Sequence, residues 1–146
     1  MVILWTSAME TGIRQMDVQH QELVHMINEM EAAHAGGQSA TALDALLPRL
    51  TIYALFHFGE EEALLAQVAE GTAFAEHHLQ EHRSFGDEVQ RLIASRALQT
   101  DHDLAEVLIL YLSDWLVLHI SGTDQALGRM LLGKSAPHSS GGAPGI

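Results

Sequence analysis

The sequence predicts an all-α fold, an antiparallel up-down four-helix bundle with an N-terminal arm and a short C-terminal helix. Three observations predict it. Four long stretches place apolar residues at three- and four-residue steps, the mark of amphipathic helices. The connections between them are short, which favours antiparallel neighbours. At 146 residues, 47% of them hydrophobic, the chain has the apolar content for one core and the length of one domain.

Residues 1–16 lack sustained periodicity. Trp5, Met9, Ile13 and Met16 are apolar points in an irregular segment containing Gly12, so this arm is expected to pack over the outside of the bundle. The first helix is predicted over 17–34, with Asp17 as its N-cap and the stripe Leu23, Val24, Ile27, Met30, which extends back to His20. Gly36 and Gly37 should end it.

A second helix is predicted from 39 or 41 to 68, through Leu43, Leu46, Leu47, Leu50, Ala54, His57, Glu61 and Leu64. Pro48 falls inside it and implies a bend rather than a break, because proline removes one backbone hydrogen bond and crowds the turn before it. Gly71 and Thr72 supply a break and a cap before a third helix over 73–95, striped by Phe74, His78, His82, Phe85, Val89 and Leu92. The fourth, predicted over 103–120, carries Leu104, Leu108, Tyr111 or Leu112, Trp115 and His119. Gly122 should disturb or end it, leaving a short helical piece over 124–132. The domain is thus read as 1–133, and 134–146, rich in Gly, Ser and Pro, as a flexible tail.

The core-facing stripes contain groups that do not belong in an apolar core. His57 and Glu61, like His78 and His82, are four residues apart, so each pair sits on one helix face, one turn above the other. His20, His119 and Asp124 extend the set to all four helices. One satisfied core histidine is ordinary. Five with two carboxylates would require several separate buried polar networks, whereas a metal centre accounts for them together. Seven side chains are too many for one tetrahedral zinc site, and they suit two ions. With both carboxylates and one oxygen as bridges, three imidazoles complete one octahedral ion and two leave the other a position short. Nitrogen and oxygen donors without sulfur suit iron, manganese or zinc alike.

The same elements carry a family resemblance. Trp5 with Gly12 and Asp17-x-Gln19-His20, then His57-Phe58-x-x-Glu61-Glu62, then His78-x-x-x-His82-x-x-Phe85, then Trp115-x-x-x-His119-Ile120-x-x-x-Asp124 closely resemble the single-domain bacterial hemerythrin-like proteins. The resemblance covers roughly 3–132. It implies a non-heme centre of two Fe ions with a bridging oxo or hydroxo group that binds O2 reversibly and accepts azide or similar small anions. His78, His82 and His119 match the ligands of the saturated iron, His20 and His57 those of the iron with the open site, and Glu61 and Asp124 the bridging carboxylates. In place of a methionine frequent in the family after the Glu-Glu pair, this chain has Leu64 and Leu65.

Leu23, Phe58, Leu112, Trp115 and Leu116 are candidates for a dry wall around such a site. Gln19, Tyr53, Glu62, Glu81 and Tyr111 are candidate partners for the outward ring nitrogens. His25, His34, His77, His102 and His138 are read as surface or capping residues.

Composition excludes other classes. Nineteen acidic against seven basic residues give a formal charge of -12, which argues against nucleic acid or an anionic membrane as partner. The absence of cysteine excludes disulfides, thiolate zinc and iron–sulfur ligation. The first residues lack a signal-peptide pattern and no apolar run approaches the ~18 residues of a membrane span, so a cytoplasmic, non-membrane protein is expected. One bundle should cover every apolar face, which predicts a monomer. Oxygen transport, storage or delivery is the leading function, and the chain is not expected to be an enzyme. A sensory module reading oxygen or redox state is the alternative, with di-iron oxidase, peroxide or nitric-oxide chemistry below it.

Overall fold

Four helices close around a shared core, and the computed structural model describes residues 2–135. They are α1 (Arg14–Ala35), α2 (Ser39–Ala69), α3 (Ala73–Ala94) and α4 (Asp101–Trp115). A π-helical segment, Leu116–Asp124, continues α4 directly into α5 (Gln125–Ser135), and single 3-10 turns occupy Ser7–Met9 and Ser95–Leu98. The all-α expectation holds, with no strand among the described residues. The predicted tail, including His138, lies almost wholly outside the described residues.

The caps show how the sequence sets these boundaries. Thr72 and Thr100 each accept a hydrogen bond at 3.1 Å from a backbone N–H of the first turn that follows, from Ala75 and Asp103. Asp17 is not the N-cap of α1, which begins at Arg14. Its carboxylate reaches back instead, accepting from the Thr11 N–H at 2.7 Å, the Thr11 hydroxyl at 2.8 Å and the Gly12 N–H at 3.2 Å. An acid in the first turn that satisfies the chain before it is the reciprocal half of a capping arrangement. α2 runs unbroken through Pro48, so the proline does not break the helix, as expected.

The fourth helix departs furthest from expectation. Gly122 does not end it: helix continues through the glycine in a widened, π-helical form. In an α-helix a five-residue step from His119 would carry Asp124 about 140° around the axis. The i→i+5 pattern of a π-helix returns the fifth residue nearly to the starting face. Both residues consequently point inward, His119 1% and Asp124 0% exposed.

The apolar core falls into two clusters with the polar residues between them. The larger runs from Leu23 and Phe58 through Phe85 to Leu116 and Ile120. The smaller holds Met16, Leu65, Ala69, Ala75, Leu127 and Leu131. On every helix the predicted site residues sit where one cluster gives way to the other. Leu65 joins the smaller cluster, so the leucine pair after Glu62 is ordinary packing.

The arm is fastened at both ends. Asn28 accepts from the Ile3 N–H at 2.8 Å and donates to the Ile3 carbonyl at 2.9 Å. Gln125 donates to the Met9 carbonyl at 3.0 Å. Further along, α5 presses on the arm at two glycines. Gly12 has φ 86°, and a Cβ there would meet Leu132 at 2.9 Å; a Cβ on Gly128 would lie 2.7 Å from the Thr11 carbonyl oxygen.

Two premises behind the sequence expectations need correction. The helix Asp101–Gly133 is long and apolar enough to cross a membrane by length and composition, with mean hydropathy 1.6 over its most apolar stretch, although 39% of that stretch is buried in the bundle. One bundle also does not cover every apolar face. Ile52, Leu55 and Phe56 on α2 and Val117 and Leu118 after α4 are all exposed, which removes the ground on which a monomer was predicted.

Gly128→Ala is expected to destabilise the fold by about 1–3 kcal/mol, since the obstructing atom is backbone and cannot swing aside. Urea denaturation of the two proteins measures it, and an unchanged midpoint would contradict the close approach.

Candidate metal centre

The structure brings all seven predicted residues together at the boundary between the two core clusters. Each is buried: His20, His78 and Asp124 at 0% exposure, His57, Glu61 and His119 at 1%, His82 at 3%. His20 comes from the second turn of α1, His57 and Glu61 from α2, His78 and His82 from α3, and His119 with Asp124 from the π-helical segment.

The two carboxylates divide the histidines. Glu61 turns Oε2 toward Nε2 of His57 at 3.2 Å and of His20 at 3.4 Å. Its Oε1 faces Nε2 of His78 at 2.7 Å, His82 at 3.0 Å and His119 at 3.6 Å. Asp124 repeats the division, Oδ2 lying 3.0 Å from His20 and Oδ1 3.1 Å and 3.0 Å from His78 and His119. Two donor sets result, one with two imidazoles and one with three. Both carboxylates belong to each.

Outer partners orient three of the five rings. His57 Nδ1 faces the Gln19 side-chain oxygen, His82 Nδ1 lies 2.9 Å from Glu62 and His119 Nδ1 3.0 Å from Glu81. Since these acceptors take a proton from Nδ1, the Nε2 atoms of these rings turn lone pairs toward the carboxylate oxygens. Lone pair against lone pair repels unless a cation or a second proton lies between. Aromatic side chains hold the same rings from the side. Phe58 stacks on His82 at 4.0 Å between centroids, Trp115 on His119 at 4.2 Å and Tyr53 on His57 at 5.3 Å.

Two orienting residues escaped the sequence reading. Thr123 donates at 2.6 Å to the same Glu81 oxygen that His119 uses. Glu60 accepts from the side-chain amides of Gln15 and Gln19, which aims the Gln19 oxygen at His57. Each is the chain neighbour of a carboxylate ligand candidate, which is the one sequence signal they carry. Of the proposed partners, Tyr53 acts differently, donating at 2.7 Å to the Gln19 carbonyl, and Tyr111 packs against Phe85 instead. His77, next to His78, is exposed and outside the cluster, as its position on the helix face predicted.

The electrostatics are those of a cation site. Burial would lift the Glu61 carboxyl, but the surrounding imidazoles hold it well below the ordinary 4.5. Burial and the charge of Glu61 would lift Asp124, and the close imidazoles of His119, His20 and His78 outweigh both. In the opposite direction, burial would lower His119 and His20. The facing carboxylates instead raise them to about 11 and about 9. The buried polar side-chain atoms left without a hydrogen bond, among the described residues, all belong to this cluster: both ring nitrogens of His20, Nε2 of His57 and His119, Nδ1 of His78, one oxygen of Glu61 and both of Asp124. Each orphaned polar group costs about 1–3 kcal/mol. Metal ions satisfy most of them at once, so the residues fit the centre that the resemblance implies.

A family model described as the hemerythrin HHE cation binding domain matches residues 11–131. The chain belongs to the hemerythrin family. A bacteriohemerythrin of Stenotrophomonas maltophilia is 30% identical over 126 residues, 86% of this chain and 78% of that protein. A bacteriohemerythrin of Pseudomonas aeruginosa is 32% identical over 123 residues, 84% of this chain and 76% of that one. A hemerythrin-like protein of Naegleria gruberi is 29% identical over 120 residues, 82% of this chain and 86% of its own length. The matched region of this hemerythrin-family chain contains every residue of the cluster.

Glu81→Gln should weaken metal binding about 10- to 100-fold by replacing the charged acceptor of His119 with a neutral one. Competition with a chromophoric chelator measures this, and unchanged affinity would show that stacking on Trp115 suffices to hold the ring. In the metal-free protein the same carboxyl gives a pH signature. Burial would raise it, but the hydrogen bonds from His119 and Thr123 bring it from 4.5 to about 2. A carboxyl lowered by folding adds stability that is complete above 4.5 and disappears as pH falls toward 2. Urea midpoints of the metal-free protein should fall more steeply across that window for wild type than for Glu81→Gln.

Proposed function

We propose that the cluster holds two iron ions and that the protein binds O2 reversibly there. The observation that supports this reading is the division of five imidazoles into two and three by the two oxygens of Glu61, which Asp124 repeats for His20, His78 and His119. His78, His82 and His119 with the shared carboxylates would hold one ion, and His20 and His57 with the same carboxylates would hold the other with one protein donor fewer. The unequal count leaves one place for a small ligand on the His20 and His57 side. Iron held by these residues would supply the electrons that dioxygen takes on binding, and His20 and His57 would hold the ion nearest the bound molecule.

The protein's part is to hold, to exclude water and to refrain from proton delivery. Five neutral imidazoles against two carboxylates make a donor set poorer in anions than the glutamate-rich di-iron bundles. That composition favours return of the oxygen molecule over its cleavage. Leu23, one turn beyond His20 on the same face of α1, is fully buried, as are Leu112 and Leu116. Such a wall excludes the water that would carry off a reduced ligand. Binding rather than turnover is the activity proposed.

Iron analysis combined with absorption spectra of reduced, oxygenated and azide-treated protein tests the proposal. Two irons per chain and an oxygen-dependent band that reverses on deoxygenation are expected. A single zinc, or steady consumption of a reductant under oxygen, would replace this reading with a structural or an enzymatic one. Leu23→Asn should retain both irons yet lose the reversible band faster by irreversible oxidation, followed as decay of that band over time.

A further inference from the structure

A second group of metal-ligating side chains lies at the other end of the bundle. His34 is in the last turn of α1, and His102 and Glu106 are in the first two turns of α4. Read singly, the two histidines look like surface residues. The fold sets their ring centroids 4.3 Å apart, and one ligand atom from each of the three residues falls within 4.8 Å of the others.

We propose that His34, His102 and Glu106 form a second metal site, separate from the seven-residue cluster, for a borderline divalent ion of the zinc, copper(II) or nickel(II) class. Two imidazoles and one carboxylate are a donor set these ions accept, water completing the shell. His102 and Glu106, four residues apart, share one face of α4. His34 has the outer support that metal-bound histidines use: its Nδ1 lies 3.1 Å from the hydroxyl of Ser39, which is buried. A proton donated there leaves the Nε2 lone pair facing away from Ser39, as a ligand atom must. His102 and Glu106 are exposed, so small rotations can close the set to the spacing of roughly 3.4 Å that a tetrahedral ion with bonds of about 2.1 Å requires.

The local field suits a cation. His34 stands at the carbonyl end of α1, where the helix dipole is negative. The positive end of α4 opposes it, and Asp103 in the first turn of α4 offsets that term, Asp101 being paired with Arg96. Glu31 lines the same cleft as His34 and Glu106. The site is remote from the first one. His34 follows His20 by fourteen residues of continuous helix, roughly 21 Å, and His102 precedes His119 by seventeen, roughly 25 Å. An ion here would join the end of α1 to the start of α4 and fasten the open end of the bundle.

Calorimetric titration of the iron-loaded full chain with Zn²⁺, and separately with Ni²⁺ and Cu²⁺, tests this. One ion per chain is expected to bind beyond the iron, with iron content and visible spectrum unchanged and a raised thermal midpoint. His34→Ala and His102→Ala should each cut the affinity by more than the roughly 10- to 100-fold that loss of an outer partner costs. His25→Ala, at an exposed histidine paired with Glu29 elsewhere on α1, and His138→Ala should leave the affinity unchanged. Absence of an extra ion would overturn the proposal. So would equal binding by wild type and a His34→Ala/His102→Ala double variant, and displacement of iron by the added metal would assign the binding to the first cluster instead. Both histidines are at the protein surface or only half-buried, so the variants are expected to fold.

Discussion

The burial of two carboxylates among five imidazoles is the constraint on which the rest of this bundle depends. Glu61 and Asp124 are 1% and 0% exposed, where an isolated anion would be costly enough to neutralise itself or unfold its surroundings. The polar layer they create cuts the apolar core into two clusters. Neither cluster reaches across the boundary. Whatever occupies the layer therefore joins the two halves as well as satisfying the side chains, which makes ligand binding and folding a linked pair.

Most of the fold and the inner residues of the site could be read from the sequence, because both depend on periodicity. A buried helix face repeats every three or four residues, and His57 with Glu61 or His78 with His82 announces itself by occupying that repeat with the wrong chemistry. What could not be read depends on departures from the repeat. Gly122 reads as a disturbance or end of the fourth helix because glycine weakens a helix interior, and nothing local shows that the turn there widens to bring His119 and Asp124 onto one face. Asp17 looked like a cap because the sequence does not show that its carboxylate reaches back to Thr11 and Gly12. The pairing of His34 with His102 depends on how the ends of two helices meet, and nothing local to either residue records it.

The outer shell of the centre is uneven in a way that bears on its electronics. His82 and His119, both on the three-imidazole side, lean on the carboxylates Glu62 and Glu81, whereas His57 on the two-imidazole side leans on the neutral amide of Gln19. A charged acceptor makes the imidazole a stronger donor. The two donor sets are therefore unequal in donor strength as well as in number, the three-imidazole set being the richer in both. Gln19 is itself held by Glu60, so the neutrality of that contact is built into the packing of α1 against α2.

The widened turn at Leu116–Asp124 amounts to one residue of slack wound into an otherwise regular rod. Taking up that slack would swing everything downstream by about 100°. α5 would then present a different side to the arm, and the niche in which Gly128 lies against Thr11 would be filled by a bulkier neighbour. The glycines and the arm therefore fit only the side of α5 that the wide turn presents, which favours that turn at the two residues whose direction matters. A chain segment that touches no ligand in this way fixes the bite of the centre from outside.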